Sequence, residues 1–200
     1  SGAYLADIRV VEIPPAISVI LNNDSTLSYD AATGKFYRVS STATDWIAAN
    51  SVSQTSLLNG VAGNLVSIRS AYENDLLWNL AQDINADLWI GATDKTSEGN
   101  FYWQNSIGDG DQFWSGGAAG SASGYQNWKT GTPRNPGTGE DFVVMESTDG
   151  RWSDFGLGMN RRYVTEWDAS QVLSNYTFTL TDDAGGRFAI NSHTGEITVA

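Results

Sequence analysis

The chain reads as an α+β protein. Two helical segments occupy the first half, and short aromatic strands separated by glycine-rich turns fill the second. A serine–glutamate cap marks where the second helix begins. From Tyr4 to Leu27, Ile and Val alternate loosely with polar residues around Pro14-Pro15, which predicts an extended edge strand or connector in preference to a helix. Lys35 to Val39 alternates like a half-buried strand behind the turn Ala31-Ala32-Thr33-Gly34, and is expected to be the first core strand. Thr44-Asp45 precedes Trp46-Ile47-Ala48-Ala49 at helical spacing, and Asn59-Gly60 with Gly63 ends that pattern. Ser70, with Glu73 three positions later, starts a second helix running from Ala71 to about Asp83, with Leu76, Leu77 and Leu80 on its apolar face. Strands are then expected over Leu88 to Ile90, Asn100 to Trp103, Phe142 to Met145, Gly150 to Trp152 and Tyr163 to Trp167. The Gly-, Ser- and Ala-rich stretch between Trp103 and Trp128 reads as a long binding loop.

Two hundred residues suffice for one main domain with a smaller attachment. A net charge of −12 excludes nucleic acid as a partner, because phosphate recognition needs clustered Lys and Arg. With 40% apolar and 12% aromatic residues the acid excess belongs to a folded chain whose carboxylates face salt or divalent cations, not to a disordered one. Zero cysteines rule out disulfides and thiolate metal sites. The apolar run from Val10 to Leu21 is too short and too interrupted to insert in a membrane. Ser1-Gly2-Ala3 carries neither a basic region nor an apolar signal core, so the sequence reads as a segment of something longer.

Four stretches set carboxylates beside tryptophans and glycines: Trp89 to Asp94, Glu98-Gly99, Asn135 to Asp141 and Arg151 to Asp154. Rigid strands that present such tips suit an oxygen cage for calcium, which takes six to eight oxygen ligands at about 2.3–2.6 Å. Against this stand plainer readings. Asp94 and Glu98 also suit a solvated turn, Glu140-Asp141 a charged strand edge, and Trp89, Trp103, Trp128 and Trp152 the core. Trp114, inside the glycine-rich stretch, is the better candidate for ligand contact. Asp109-Gly110-Asp111 reads as a solvated turn. The single histidine, His193, reads as an exposed turn residue; a Ser-His-Asp hydrolase and a zinc site are therefore not expected, and no catalytic residue is assigned.

Trp89-Ile90-Gly91, Glu98-Gly99-Asn100-Phe101-Tyr102-Trp103, Asn127-Trp128, Gly131-Thr132-Pro133, Gly139-Glu140-Asp141 and Gly150-Arg151-Trp152-Ser153-Asp154 follow one another behind two helices. In that order they resemble the C-type lectin-like domain from about Asp30 to Asp168. The tail, with Tyr176 to Leu180, Gly186 to Asn191 and Thr194 to Val199, resembles part of a cadherin-type repeat. The expected organisation is an N-terminal extended segment over 1–30 that pairs with the tail, a lectin-like domain over 31–168, and a partial cadherin-like β segment over 169–200. Together these modules resemble large calcium-dependent, RTX-type bacterial surface adhesins, which implies an extracellular, cell-surface setting with flanking adhesin domains.

The resemblance also implies site residues. The family's auxiliary calcium site falls on Asp94, Glu98, Asn135, Glu140 and Asp141. Its principal site, where calcium holds two sugar hydroxyls, falls on Thr132, Arg134, Glu140, Ser153 and Asp154. Here the chain departs from the pattern: Thr132-Pro133-Arg134 stands where Glu-Pro-Asn is expected for mannose-like sugars, and Ser153 replaces an amide. A guanidinium within about 4–6 Å of a divalent cation is strongly unfavourable. Arg134 must therefore turn away, letting Asn135 serve the principal site, or stay and pair with Glu140 or Asp154. The resemblance implies a calcium-dependent, glycan-binding, non-enzymatic module; the alternative is a protein- or ice-binding module that uses calcium only structurally.

Overall fold

A computed structural model of the chain describes residues 15–105, 108–134, 139–180, 182–192 and 195–199. Asn135, His193 and the extended reading over residues 4–14 lie outside the described residues. The chain runs α1 (Pro15–Asn23), β1 (Leu27–Asp30), β2 (Lys35–Val39), α2 (Trp46–Thr55), β3 (Leu57–Leu58), β4 (Val61–Ala62), β5 (Asn64–Leu65) and α3 (Ala71–Asp83). It continues through β6 (Leu88–Thr93), β7 (Asn100–Asn105), β8 (Gly108–Ser115), β9 (Ser121–Ala122), β10 (Phe142–Met145), β11 (Trp152–Phe155) and β12 (Arg162–Asp168). The last elements are α4 (Ala169–Ser174), β13 (Phe188–Ile190) and β14 (Ile197–Val199). The architecture is α+β, with few helices against a curled sheet ordered β1-β2-β12-β6-β7-β8-β9, to which β10, β11 and β5 add.

Local chemistry accounts for the helices. The Asp45 carboxylate accepts from Ala48 N at 2.9 Å and starts α2. Ser70 Oγ accepts from Glu73 N at 3.1 Å and starts α3 where the sequence places it. The second half of that cap differs from expectation: Glu73 Oε2 accepts from Arg69 N, while Oε1 turns inward to Lys35 and Tyr37. The N-terminal expectation needs a larger correction, because Pro15–Asn23 is a helix. Proline at the first helical position costs no intrahelical hydrogen bond and pre-sets φ. Ile17 and Ile20 then fall on one face and bury against Phe36, Trp167 and Val172. Pro15, read with its neighbour as an extended edge, in fact opens a helix.

The segment between Trp103 and Trp128 is likewise no open loop. β8 pairs antiparallel with β7 and then with β9, and Phe113 stacks on Trp103 with ring centroids 4.5 Å apart. In the tail, among the described residues, β13 and β14 pair only with each other. The expected pairing of the N-terminal segment with the tail is not what the described residues do: β1 pairs with β2.

β6 is buried along its whole length, and Gly91 lets it lie against the 65–66 backbone, where an added Cβ would stand 2.7 Å from Leu65 O. Its antiparallel partner β10 sets Phe142 opposite Thr93, and β11 sets Asp154 opposite Val143. The exit of β6, the entrance of β10 and the Asp154 end of β11 therefore share one edge of the sheet, and the candidate site lies there.

Candidate functional site

Asp94 is the first residue beyond β6, and its N–H donates to Asp141 O at 3.3 Å, tying the two loops together. A tight turn follows, in which Ser97 N donates to Asp94 O and Gly99 N donates to Asp94 Oδ2, at 2.9 and 2.8 Å. Gly99 adopts a φ of 76°, which brings its N–H back onto the carboxylate. The Asp94 side chain is only 2% exposed, and Oδ1 is buried with no hydrogen-bond partner. Burial, reinforced by the charges of Glu98 and Asp141 and opposed by the Gly99 hydrogen bond, pushes its pKa up to about 7.

The neighbouring half of the edge is organised by Arg134. Its backbone N–H donates to Asp154 Oδ2 at 2.7 Å, and its guanidinium donates to Glu140 Oε1 at 2.8 Å. Glu140 Oε2 is buried without a hydrogen-bond partner. Of the two arrangements open to Arg134, the one found is pairing with Glu140, with 54% of the arginine side chain still exposed. Thr132 lies before a cis peptide bond to Pro133, and its hydroxyl sits 2.8 Å from Lys129 O and 2.9 Å from Trp152 O. Ser153 is buried and donates to Glu146 Oε1 at 2.7 Å, while Glu146 also pairs with Lys129. Both hydroxyls expected at a sugar are thus committed internally. Lys129 and Glu146 were not singled out from sequence; a lone charge on each of two distant loops gives no spacing signal.

Trp114 corrects another expectation. It lies in β8, is 7% exposed, donates through Nε1 to Gly116 O and packs edge-on against Trp128. A neighbourhood rich in glycine suggests an open loop, but the glycines serve the turn after Trp114 and let Gly120 approach its ring.

Asp94, Glu98, Asp141, Glu140 and Asp154 all belong to the loops or strand ends of this one edge. Among the described residues no group of three or more acidic or histidine side chains is already disposed to hold a metal. The donor chemistry nonetheless fits a hard cation: the groups are oxygen-only, and two buried carboxylate oxygens, one on Asp94 and one on Glu140, lack any donor. Asp94, Glu98 and Asp141 would hold such an ion at one end, and Glu140 with Asp154 at the other.

Comparisons with known proteins agree with this geometry. The lectin C-type domain profile matches residues 59–164. The low affinity immunoglobulin epsilon Fc receptor of Mus musculus is 38% identical over 113 residues, covering 56% of this chain and 28% of its own length. Halomucin of Haloquadratum walsbyi is 29% identical over 180 residues, covering 88% of this chain and 2% of its own length. The chain thus spans less than a third of either curated relative. Among solved structures, the C-type lectin CEL-I from Cucumaria echinata superposes with a TM-score of 0.56 at 29% identity, over 71% of this chain and 94% of that one. With the two helices, the curled sheet and the β6–β10–β11 edge in place, the chain belongs to the C-type lectin domain family.

Proposed function

We propose that the chain is a calcium-dependent carbohydrate-binding module of an extracellular, cell-surface adhesin, and that it recognises glycans on host or neighbouring cells. The observation that carries this reading is the pair of buried, donor-less carboxylate oxygens, Asp94 Oδ1 and Glu140 Oε2, on the edge where β6 ends and β10 begins. Membership of a lectin family, and likeness to a protein named as a C-type lectin, support glycan as the partner. In this reading the metal ligands are Asp94, Glu98, Asn135, Glu140, Asp141 and Asp154. Of the residues expected at the sugar, Arg134, Asn135, Glu140 and Asp154 are kept, whereas Thr132 and Ser153 act as supports because their hydroxyls point inward. Residues 31–168 form the lectin domain, and 169–200 a cadherin-like β extension leading toward flanking adhesin domains. No helix among the described residues is long and apolar enough to cross a membrane.

A glycan array probed with calcium and again with chelator tests the proposal. Sugar binding that disappears with chelator and in Glu140→Ala is expected. Equal signals with and without the metal would remove calcium dependence, and silence in both would remove glycan recognition.

A second reading is favoured by one contact, the Arg134–Glu140 ion pair, which commits to a cationic side chain a carboxylate that the first reading gives to calcium. In that case calcium serves only the Asp94 end, and the exposed face binds protein or ice. Arg134→Ala separates the two: it frees Glu140 for metal and raises calcium affinity if the first reading holds, and leaves that affinity unchanged if the second does.

A further inference from the structure

At the end of β6 remote from Asp94 lies a cleft of about 370 Å³ lined by Asn85, Asp87, Ser147, Asn160, Arg161 and Arg162, with Ala43 and Ala86. Leu88, which begins β6, is in register with Met145 at the end of β10 and with Arg162 at the start of β12. The six residues of β6, at about 3.3 Å each, set its Leu88 end roughly 20 Å from its Asp94 end. The cleft thus opens at the opposite end of β6 from Asp94 and carries the opposite charge.

Arg161 and Arg162 are the only adjacent basic residues in a chain of net charge −12. The Arg161 guanidinium lies over the Phe155 ring, 5.6 Å from its centroid, and Nη1 donates to Asn160 O at 3.4 Å. Its Nε is buried without a hydrogen-bond partner, 3.6 Å from Asp87 Oδ2 and too far for a hydrogen bond. Asp87 spends its other oxygen on Ser147, accepting from N and Oγ at 2.9 and 3.0 Å. Arg162 enters no ion pair among the described residues. Two arginines therefore line the cleft against one carboxylate.

We infer that this cleft is a second ligand subsite, which takes an oxyanion carried as a sulfate ester or carboxylate on a small saccharide. Guanidinium groups grip such oxyanions through paired, charge-assisted hydrogen bonds, and ring stacking holds Arg161 ready to do so. The net charge of the chain repels polyanions, so the ligand carries one or two anionic groups and binds independently of calcium. That the carrier is a saccharide rests on the glycan-binding reading above; the oxyanion pairing does not.

Titration calorimetry in chelator with a monosulfated disaccharide, its unsulfated parent and inorganic sulfate tests the inference. The sulfated sugar is expected to bind at least about tenfold more tightly than the parent, and Arg162→Gln to weaken it by about the same factor, the usual worth of one charge-assisted hydrogen bond. Asp87→Asn is expected to strengthen binding severalfold, a gain that a misfolded variant cannot produce. Equal binding of the two sugars, or full affinity in a folded Arg162→Gln, overturns the inference. If inorganic sulfate binds in an Arg162-dependent way while both sugars fail, the oxyanion cleft stands and its saccharide carrier falls. If neither sulfate nor sulfated sugar binds, the cleft falls whatever the calcium-dependent array shows.

Discussion

A carboxylate that is 2% exposed and leaves one oxygen without a donor destabilises the metal-free fold, and the charges of Glu98 and Asp141 add to that strain. Asp94→Asn removes the charge yet keeps an oxygen to accept from Gly99 N. In chelator the variant should melt at or above the wild-type temperature. Wild-type protein should gain about 2.7 kcal/mol at a hundredfold excess of calcium over its dissociation constant. Since each kcal/mol moves the midpoint by about 2–4 °C in a chain of this size, the calcium response should be near 5–10 °C. Asp94→Asn should lose most of it. Thermal melts of both proteins with calcium and with chelator make the comparison, and a full calcium response in Asp94→Asn would take this residue out of the metal site. Nothing comparable is expected of Ser153, whose hydroxyl serves Glu146.

The scaffold delivers these side chains through element ends, and those ends depend on a few local devices. Ser70 is one: its hydroxyl satisfies a backbone donor at the start of α3, so Ser70→Ala should cost about 1 kcal/mol. Gly91 is another, with Leu65 O 2.7 Å from where a Cβ would sit, and Gly91→Ala should therefore cost more than the lost cap. Urea unfolding of the two variants gives the order, and a cap variant less stable than Gly91→Ala would contradict it. Devices of this kind were readable in sequence because they are local: α3 spans the residues its cap predicts, and β2 and β10 match their alternation or apolar run. Elements set by tertiary context were not. α1 hides behind two prolines that also suit an edge strand, and β8 hides among glycines that suit a loop, since only its pairing with β7 shows that Phe113 and Trp114 face the core. At the candidate site, the gathering of Asp94, Glu140, Asp141, Asp154 and Arg134 on one edge was legible from their order along the chain. The inward turn of Thr132 and Ser153 was not, because it depends on Trp152 O and Glu146, which arrive from other loops.

Across the whole molecule, one buried cluster joins segments far apart in sequence. Lys35 Nζ on β2 donates to Glu73 Oε1 on α3 and to Glu166 Oε2 on β12, each at 2.8 Å. Tyr37 adds a hydrogen bond to Glu73, and Ser67 adds two to Glu166, from its N and its Oγ. Two carboxylates thus share one ammonium in a chain that already carries a net charge of −12. Burial opposes the charge on Lys35, but the two carboxylates outweigh it and hold the ammonium above its ordinary 10.5. A raised lysine pKa contributes stability that is present in full below 10.5 and is lost as pH rises through the higher folded value. Burial likewise raises Glu166 above 4.5, despite Lys35 and Ser67. Its contribution therefore runs in the same direction, being most favourable below 4.5 and fading as pH climbs through its folded value. Lys35→Met strips from both acids the cation they share and leaves uncompensated buried charge, which should cost about 3–5 kcal/mol at neutral pH. Because the loss comes from ionised carboxylate, protonating Glu166, whose pKa burial raises, should recover part of it, so the gap between variant and wild type should narrow from pH 7 to pH 5. Glu166→Gln, which leaves one acid to one lysine, should cost less at pH 7 and show a weaker pH dependence. Denaturant titrations of the three proteins at pH 5, 7 and 9 decide the matter: a Lys35→Met deficit of constant size across that range would mean that lost packing of the lysine stem, and not the orphaned charges, holds these segments together.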